Sequence, residues 1–168
     1  MKEPETYWSQ SRIEFESSVA KVIQLARHQI ILYDQNFEDW PLESRDFSEI
    51  LTQALVRIKE APRQGAASAP ITMLVRETEW LEKRAPRWGR IRRTFPSLIT
   101  VKQVPVEFAS NECVMVIDQQ HAVIRPHKDS FRTKTIVAQP SEVENRLAKL
   151  RQLADLSTIC LPTTTLGL

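Results

Sequence analysis

Hydrophobic residues recur along this chain with two different spacings. In three segments they stand three or four positions apart, which is the spacing of a helix with one buried face. The segments are 11–26, 44–60 and 141–154. Their apolar stripes are Phe15, Val19, Val22, Ile23 and Ala26, then Phe47, Ile50, Leu51, Ala54, Leu55 and Ile58, then Val143, Leu147, Leu150 and Ala154. Ser11 and Ser141 each precede a glutamate by three residues, so we expect capping boxes at the starts of the first and third helices.

Short apolar runs with β-branched residues predict six strands. The runs cover residues 30–34, 71–75, 100–104, 113–118, 121–126 and 134–139. The fourth and fifth runs are separated only by two glutamines, which predicts an antiparallel hairpin. Residues 77–95 have a helical pattern that Pro86 and Gly89 should break or kink.

The order of these elements predicts an α/β fold with a mixed sheet flanked by helices. The first three strands alternate with helices, which implies parallel pairing through right-handed crossovers. The later strands have short connections, which implies antiparallel pairing. The segment RQGAASAP, residues 63–70, is expected to be a loop within this arrangement. We therefore predict a single domain over residues 1–168, with residues 1–28 as an N-terminal helical extension.

Composition is that of an ordinary globular protein, with 42% hydrophobic and 26% charged residues. The net charge of +2 is too small to indicate a nucleic-acid or membrane partner by itself. The polar start has no apolar leader segment, and no apolar run is long enough to span a bilayer. The two cysteines are too few for a disulfide framework and have no neighbours at metal-ligand spacing. We therefore expect a cytoplasmic protein without a metal or cofactor and without a membrane partner.

One local segment, residues 80–93, is strongly basic. It interleaves Trp80 and Trp88 with six cations, Lys83, Arg84, Arg87, Arg90, Arg92 and Arg93. Exposed arginines and indoles would hold phosphates and stack on bases, which makes nucleic acid a candidate partner. The alternative is an amphipathic helix with its Trp side chains in the core and its arginines in solvent. The acidic stretch 36–49 is a candidate counterpart, within the monomer or across a dimer.

The contiguous residues His127, Lys128 and Asp129 raise the question of phosphodiesterase chemistry. The motif of the phospholipase D superfamily is H-x-K-x-x-x-x-D. Its His and Lys stand two apart on a strand, so both point to the same face and reach one phosphate. Three contiguous residues cannot share one face of a strand. A surface loop is therefore the better interpretation of this tripeptide.

A better register for the motif lies just upstream, in NECVMVIDQQHAVIRP. There Asp118 ends a predicted buried strand, with Asn111 in the place of the histidine and Cys113 in the place of the lysine. In this register the chain resembles one half of a phospholipase-D-like fold. More narrowly, it is similar to a proteobacterial domain of unknown function, a degenerate phospholipase-D-like domain often attached to an acyltransferase of the GNAT type. The resembling features are ILYDQNFEDWPL, TMLVRETEWLEKRAPR and TTTLGL.

The resemblance implies a non-catalytic module that binds a ligand or protein. In active members one His attacks phosphorus, a second His protonates the leaving oxygen, and a Lys neutralises phosphate charge. Asn111 has no basic lone pair for this attack, and Cys113 has the context of a small core residue. Recruitment of His28, His121 or His127 would leave a cryptic phosphodiesterase or nuclease as an alternative. The resemblance also implies a homodimer, and an acyltransferase is a candidate partner by family analogy.

The remnant of the active pocket is a candidate site for a phosphate-containing ligand. Ligands of open α/β sheets gather beyond the carboxyl ends of parallel strands. Asp34 and Asn36 follow the first predicted strand, and Arg76 follows the second. Together with the motif positions, the pocket candidates are Asp34, Asn36, Arg76, Asn111, Cys113 and Asp118. The alternative is that Asp34 and Asn36 only shape a turn and that Arg76 pairs with a carboxylate.

Overall fold

The computed structural model describes residues 2–62 and 69–162 of the chain. Its strands are β1 (Glu5–Ser9), β2 (Ile30–Asp34), β3 (Ile71–Val75), β4 (Ile99–Gln103), β5 (Cys113–Ile117), β6 (His121–Arg125), β7 (Thr133–Val137) and β8 (Thr158–Cys160). Its helices are α1 (Arg12–Leu25), α2 (Arg45–Glu60), α3 (Glu79–Lys83), α4 (Pro86–Thr94) and α5 (Pro140–Leu156), with a 3₁₀ turn at Val106–Phe108.

All eight strands pair into one mixed sheet, in the order β1-β7-β6-β5-β2-β3-β4-β8. β2, β3 and β4 are parallel neighbours joined through α2 and through α3 and α4. β5 pairs antiparallel with the other side of β2, and β5, β6 and β7 follow as antiparallel neighbours. The predicted α/β class, the mixed sheet and the β5–β6 hairpin are therefore confirmed.

The core has two halves, one on each face of the sheet. Helices α1 to α4 cover the face that carries Leu32, Met73 and Met115. Helix α5 covers the opposite face, which carries Tyr33 and Val114. The predicted helical stripes point into these two cores, although Ile50 and Ala154 are only half-buried. Because side chains alternate across a strand, β2, β3, β5 and β6 each contribute residues to both halves.

The helix-start signals give one confirmed prediction and one wrong one. The Ser11 side chain accepts from the N–H of Glu14 at 3.2 Å, and the Glu14 carboxylate accepts from the N–H of Ser11 at 3.2 Å, as a capping box requires. Helix α5 instead begins at Pro140, after Gln139, so Ser141 lies inside its first turn and makes no cap. Proline is suited to the first helical position because its fixed φ is helical and its missing N–H would have had no partner there.

The segment 77–95 forms two helices, and the break between them lies just before Pro86. Helix α3 ends at Lys83 and α4 begins at Pro86, so the proline starts a new helix at the predicted break. Gly89 does not interrupt the chain, since it lies in the interior of α4.

The N-terminal segment 1–28 is not a purely helical extension. Residues 5–9 form β1, which pairs antiparallel with β7, and α1 packs in the core beside α2. The Lys21 ammonium lies 2.6 Å from the Glu5 carboxylate and further ties α1 to β1. Residues 63–68 of the predicted loop and the terminal TTTLGL, 163–168, lie outside the described residues.

Candidate functional site

Polar side chains collect at one end of the sheet, where β2, β3 and β4 finish. Asp34 ends β2, and Arg76 directly follows β3. Because β5 runs antiparallel to β2, its first residue, Cys113, lies at this same end, with Asn111 just before it. We call this region the carboxyl end of the sheet. It brings together five of the six predicted pocket residues, Asp34, Asn36, Arg76, Asn111 and Cys113.

Asp34 and Asn36 shape the turn that leaves β2. One Asp34 carboxylate oxygen, Oδ2, accepts from the N–H of Asn36 at 3.1 Å and from the N–H of Phe37 at 2.6 Å. The Asn36 side chain in turn accepts from the N–H of Glu38 at 3.1 Å. These bonds stabilise Phe37 at a φ of 65°, which is uncommon for a residue with a side chain. Asp34 and Asn36 therefore shape a turn, which was the alternative interpretation of these two residues.

Within residues 2–62 and 69–162, Arg76 forms no ion pair with a carboxylate. Its guanidinium donates through Nη1 to the carbonyl oxygen of Val104, just beyond β4. Its backbone N–H donates to the carbonyl oxygen of Gln35 at 3.1 Å. Arg76 thus joins the loops that follow β2, β3 and β4, and it stiffens the carboxyl end by contacts to the main chain.

The two motif positions at the carboxyl end differ in exposure. Asn111 is exposed, and its backbone carbonyl accepts from the N–H of Lys128 at 2.9 Å. Cys113 is only 2% exposed and faces Arg125 across the hairpin. Burial raises the pKa of the Cys113 thiol, and the neighbouring Asp34 carboxylate raises it further. Cys113 is therefore a neutral thiol at physiological pH.

A buried arginine that we did not predict as a site residue fills the space beside Cys113. Arg125 is 0% exposed, and its Nη2 lies 2.8 Å from the Asp39 carboxylate and 2.6 Å from the carbonyl oxygen of Lys128. Its guanidinium carbon lies 5.1 Å from the ring centre of Phe15 and 4.8 Å from that of Phe131. The guanidinium is thus held by two rings, one carboxylate and one carbonyl.

Arg125 is also incompletely satisfied. Among the described residues, its Nε and Nη1 find no hydrogen-bond partner, and neither does Oδ1 of the buried Asp34. Such unpaired buried groups are uncommon and costly. The sequence signal for this residue was a charged side chain that ends an apolar run, HAVIR, just before a proline. Its partner Asp39 stands 86 positions away, and no local pattern identifies that pair.

Asp118 lies at the opposite end of the sheet, so its assignment to the pocket is wrong. Its carboxylate accepts from the backbone N–H groups of Arg27, His28 and Gln29 at 2.8, 2.8 and 2.9 Å. Asp118 and Gln119 both have positive φ, 52° and 61°, as a tight hairpin turn requires. Asp118 therefore anchors the α1–β2 connection to the β5–β6 turn.

The contiguous tripeptide lies on the loop after β6, as expected. His127 and Asp129 are exposed and Lys128 is half-buried. The loop closes through a bond from the N–H of Ser130 to the carbonyl oxygen of His127 at 3.1 Å. Since the loop follows β6, it lies at the carboxyl end, near Asn111.

The basic segment follows its second interpretation, with indoles in the core. Trp88 is 3% exposed and its Nε1 donates to the sulfur of Met73, while Trp80 is half-buried against the same core. Arg92 is buried over the Trp88 ring, 4.9 Å from its centre. The exposed cations of the segment are Lys83, Arg84, Arg87, Arg90 and Arg93.

The acidic stretch contacts the basic segment through main-chain groups. The Glu43 carboxylate accepts from the N–H of Arg87 at 3.0 Å and of Trp88 at 3.1 Å, and so caps the start of α4. Among the described residues, Lys83 is the only exposed cation of the segment with an ion pair, to Glu79 at 3.0 Å. The remaining exposed arginines face solvent.

Two further findings concern residues 2–62 and 69–162. No three or more metal-ligating side chains lie together in that part of the chain. Of the helices in the same residues, none combines the length and the apolar character needed to cross a membrane.

The fold is similar to three solved structures. TrmBL2, an archaeal chromatin protein with a novel mode of DNA binding, has a TM-score of 0.61 at 9% identity, covering 92% of this chain and 54% of that one. Nuc from Salmonella typhimurium, a phospholipase D family member, has a TM-score of 0.59 at 14% identity, covering 94% and 99%. NucT from Helicobacter pylori has a TM-score of 0.57 at 9% identity, covering 94% and 100%. The chain thus spans about half of the TrmBL2 chain and nearly all of the other two.

Sequence comparison identifies a family. Curated proteins provide no match. Residues 11–164 match a family described as a domain of unknown function, DUF7931. That match covers nearly the whole sheet and all five helices, and the similar solved structures give the fold a phospholipase-D-like character. The chain therefore belongs to the DUF7931 family of domains of unknown function and has a phospholipase-D-like fold.

Proposed function

We propose that this domain is a degenerate, non-catalytic phospholipase-D-like module that acts by binding a ligand or protein partner. The observation that carries the proposal is the packing of Arg125. Its buried guanidinium, paired with Asp39 and enclosed by Phe15 and Phe131, occupies the space beside Cys113. A phosphate at that position would have to displace a side chain whose charge is already partly neutralised.

The chemistry of the two motif positions supports the same proposal. An amide at Asn111 is no nucleophile. The Cys113 thiol, whose pKa is raised by burial, supplies neither the positive charge of a lysine nor a thiolate. The two motif positions therefore lack the nucleophile and the cationic clamp that phosphoryl transfer needs.

The histidines offer little to a cryptic phosphodiesterase. His121 opens β6 at the end of the sheet opposite Cys113, and its Nδ1 accepts from the N–H of Ala138 at 2.9 Å. Burial lowers the pKa of His121, so its ring is neutral at pH 7. His127 is exposed on the loop near Asn111 and is the candidate that an activity assay must address.

We expect the purified domain not to hydrolyse a chromogenic phosphodiester above the rate in buffer, because neither Asn111 nor Cys113 can attack phosphorus. Release of the chromophore over pH 5–9 checks this. Turnover that survives Cys113→Ala and disappears with His121→Ala or His127→Ala would overturn the proposed absence of catalysis.

A homodimer is part of this proposal, and an apolar groove beside α5 supports it. The groove, about 370 Å³, is lined by Tyr33, Phe108, Leu150, Leu153 and Leu156, among others. Phe108 and Leu156 are 44% and 51% exposed. Large apolar side chains grouped on a surface are typical of an interface, and a two-fold dimer is the commonest way to cover one. The groove adjoins the carboxyl end through Tyr33, which would place any remnant pocket near the dimer axis.

Size exclusion with light scattering should give the wild-type protein twice the mass of one chain. The variant Phe108→Glu/Leu156→Glu should have the mass of a single chain, because two buried charges oppose association. Val56→Glu, at a residue 41% exposed on α2, is the matched control and should stay dimeric. A wild-type protein that remains monomeric at high micromolar concentration would contradict the homodimer.

The cellular setting completes the proposal. Cys113 and Cys160 are both free thiols, which suits a reducing cytoplasm. By family analogy the partner would be a GNAT-type acyltransferase. Co-purification of the tagged domain with such an enzyme would test that pairing, and an eluate without it would contradict the pairing.

Nucleic-acid binding is a second candidate function. It is favoured by the exposed arginines Arg84, Arg87, Arg90 and Arg93, which have no ion pair within the described part of the chain. The fold similarity to TrmBL2, a protein described with a mode of DNA binding, is in keeping with it but rests on 9% identity.

A further inference from the structure

A groove between α2 and α4 concentrates positive charge on the outer surface of these two helices. Its volume is about 430 Å³, and its polar lining includes Arg45, Ser48, Thr52, Gln53, Arg87 and Arg90. We call it the α2–α4 groove. Glu49 is the single acidic residue in its lining. Three arginines therefore face one carboxylate.

The arginines of the groove are open to a ligand. Arg45 reaches Glu49 only at 3.9 Å, and its side chain is 81% exposed. Arg87 and Arg90 stand three residues apart on α4, so their side chains lie on adjacent turns of one helix face. Helix α4, PRWGRIRRT, contains four arginines and no acidic residue. The nearest acidic contact to its start, Glu43, is occupied by two backbone N–H groups.

The flanks extend this surface beyond the groove. Arg84 precedes α4 and Arg93 lies in its last turn, and both are exposed. A single exposed arginine–phosphate contact is weak, whereas a ligand with many regularly spaced phosphates engages several such side chains together. Guanidinium groups also match phosphate oxygens in geometry. The arrangement suits a polyanion better than a small phosphate ester.

The burial of the apolar residues of α4 indicates which class of polyanion this surface suits. Trp88 and Ile91 are buried, and Trp80 packs on the core, so this surface presents no aromatic platform for unstacked bases. The apolar residue in the groove's lining, Ile91, is buried, so the lining offers none of the exposed apolar side chains that anchor a membrane-binding helix or a protein interface. What it offers is charge directed at a backbone, and a duplex presents the densest backbone charge.

We infer that the α2–α4 groove binds the phosphate backbone of a nucleic-acid duplex without reading its sequence. The inference rests on the proposed function as a binding module, and it names the partner and the surface. With Arg45, Arg87, Arg90 and Arg93 in contact, four phosphates are neutralised. The logarithm of the binding constant should then fall with the logarithm of salt concentration with a slope of about −3.6.

The test is fluorescence anisotropy with a labelled 20-base-pair DNA duplex of arbitrary sequence, from 50 to 200 mM NaCl. For Arg87→Gln/Arg90→Gln we expect affinity at least about tenfold weaker at 50 mM and a slope smaller in size by about 2. Lys2→Gln/Arg151→Gln removes the same charge from exposed sites outside α2 and α4 and should retain the wild-type slope. Circular dichroism establishes that both variants are folded.

Several results would overturn the inference. They are equal losses in the groove and control variants, tighter binding of the 20-base single strand than of the duplex, a strong dependence on duplex sequence, and equal competition by polyglutamate of matched charge. Cleavage of the duplex is monitored in the same samples. Binding with cleavage would refute the non-catalytic function and leave the groove standing, whereas absent binding would refute the groove alone.

Discussion

Leu55→Lys should destabilise the domain strongly. Leu55 is 0% exposed on α2, between α1 and the sheet. Lysine there would lose the apolar contacts and bury an unpaired ammonium, a combination that costs about 4–5 kcal/mol or more. Small domains are stable by only about 5–15 kcal/mol, so a loss of this size would remove from about a third to nearly all of that stability. Urea unfolding followed by circular dichroism measures the change.

Val56→Lys is the matched control, because it makes a similar change one residue away on the same helix. Val56 is 41% exposed, so its lysine reaches solvent and the free energy of unfolding should change by only about 0.5 kcal/mol. The same expectation of strong destabilisation extends to the other buried leucines tested in this way, Leu51, Leu147 and Leu150. A near-wild-type urea midpoint for Leu55→Lys would show that α2 presents a different face to the core.

Arg125→Ala should destabilise the fold by about 3–5 kcal/mol, the range for removing one partner of a buried ion pair. The change leaves Asp39 without its guanidinium and opens a cavity between Phe15 and Phe131. Arg125→Met should cost less, because methionine refills the space between the rings. Urea unfolding of both variants gives the comparison.

A double-mutant cycle with Asp39→Asn separates the ion pair from the packing. We expect a coupling of about 1–3 kcal/mol between Arg125 and Asp39, as for other contacting charged pairs. Arg125→Ala with an unchanged urea midpoint would remove the support for a filled site. The proposal for the carboxyl end would then need a different basis.

Local periodicity was sufficient to predict most of the fold. In α1, α2, α5 and the central strands, the spacing of apolar residues within the segment itself shows which face is buried. β1 and β8 were missed because neither has a local apolar pattern that indicates a strand. ETYWS is mostly exposed along its length, and TIC is only three residues long. Their pairing depends on main-chain hydrogen bonds to β7 and β4, which lie far away in sequence.

The candidate site was predictable where topology alone determines position. Asp34, Arg76 and Cys113 meet because parallel strands share their carboxyl ends and an antiparallel neighbour begins there. Counting along a motif gave no such information for Asp118, since a full strand separates it from Cys113. The pairing of Arg125 with Asp39 depends on side-chain packing across the sheet and the β2–α2 loop, which no spacing rule describes.

The position of Asp118 also separates a structural anchor from the residues at the carboxyl end. Its three hydrogen bonds to the α1–β2 connection lie one strand length from Cys113, about 17 Å at 3.3 Å per residue. Substitutions at positions 111 and 113 therefore leave this anchor untouched. Related proteins with this fold can therefore gain or lose reactive residues at the start of β5, while the contacts at the end of β5 keep the fold unchanged.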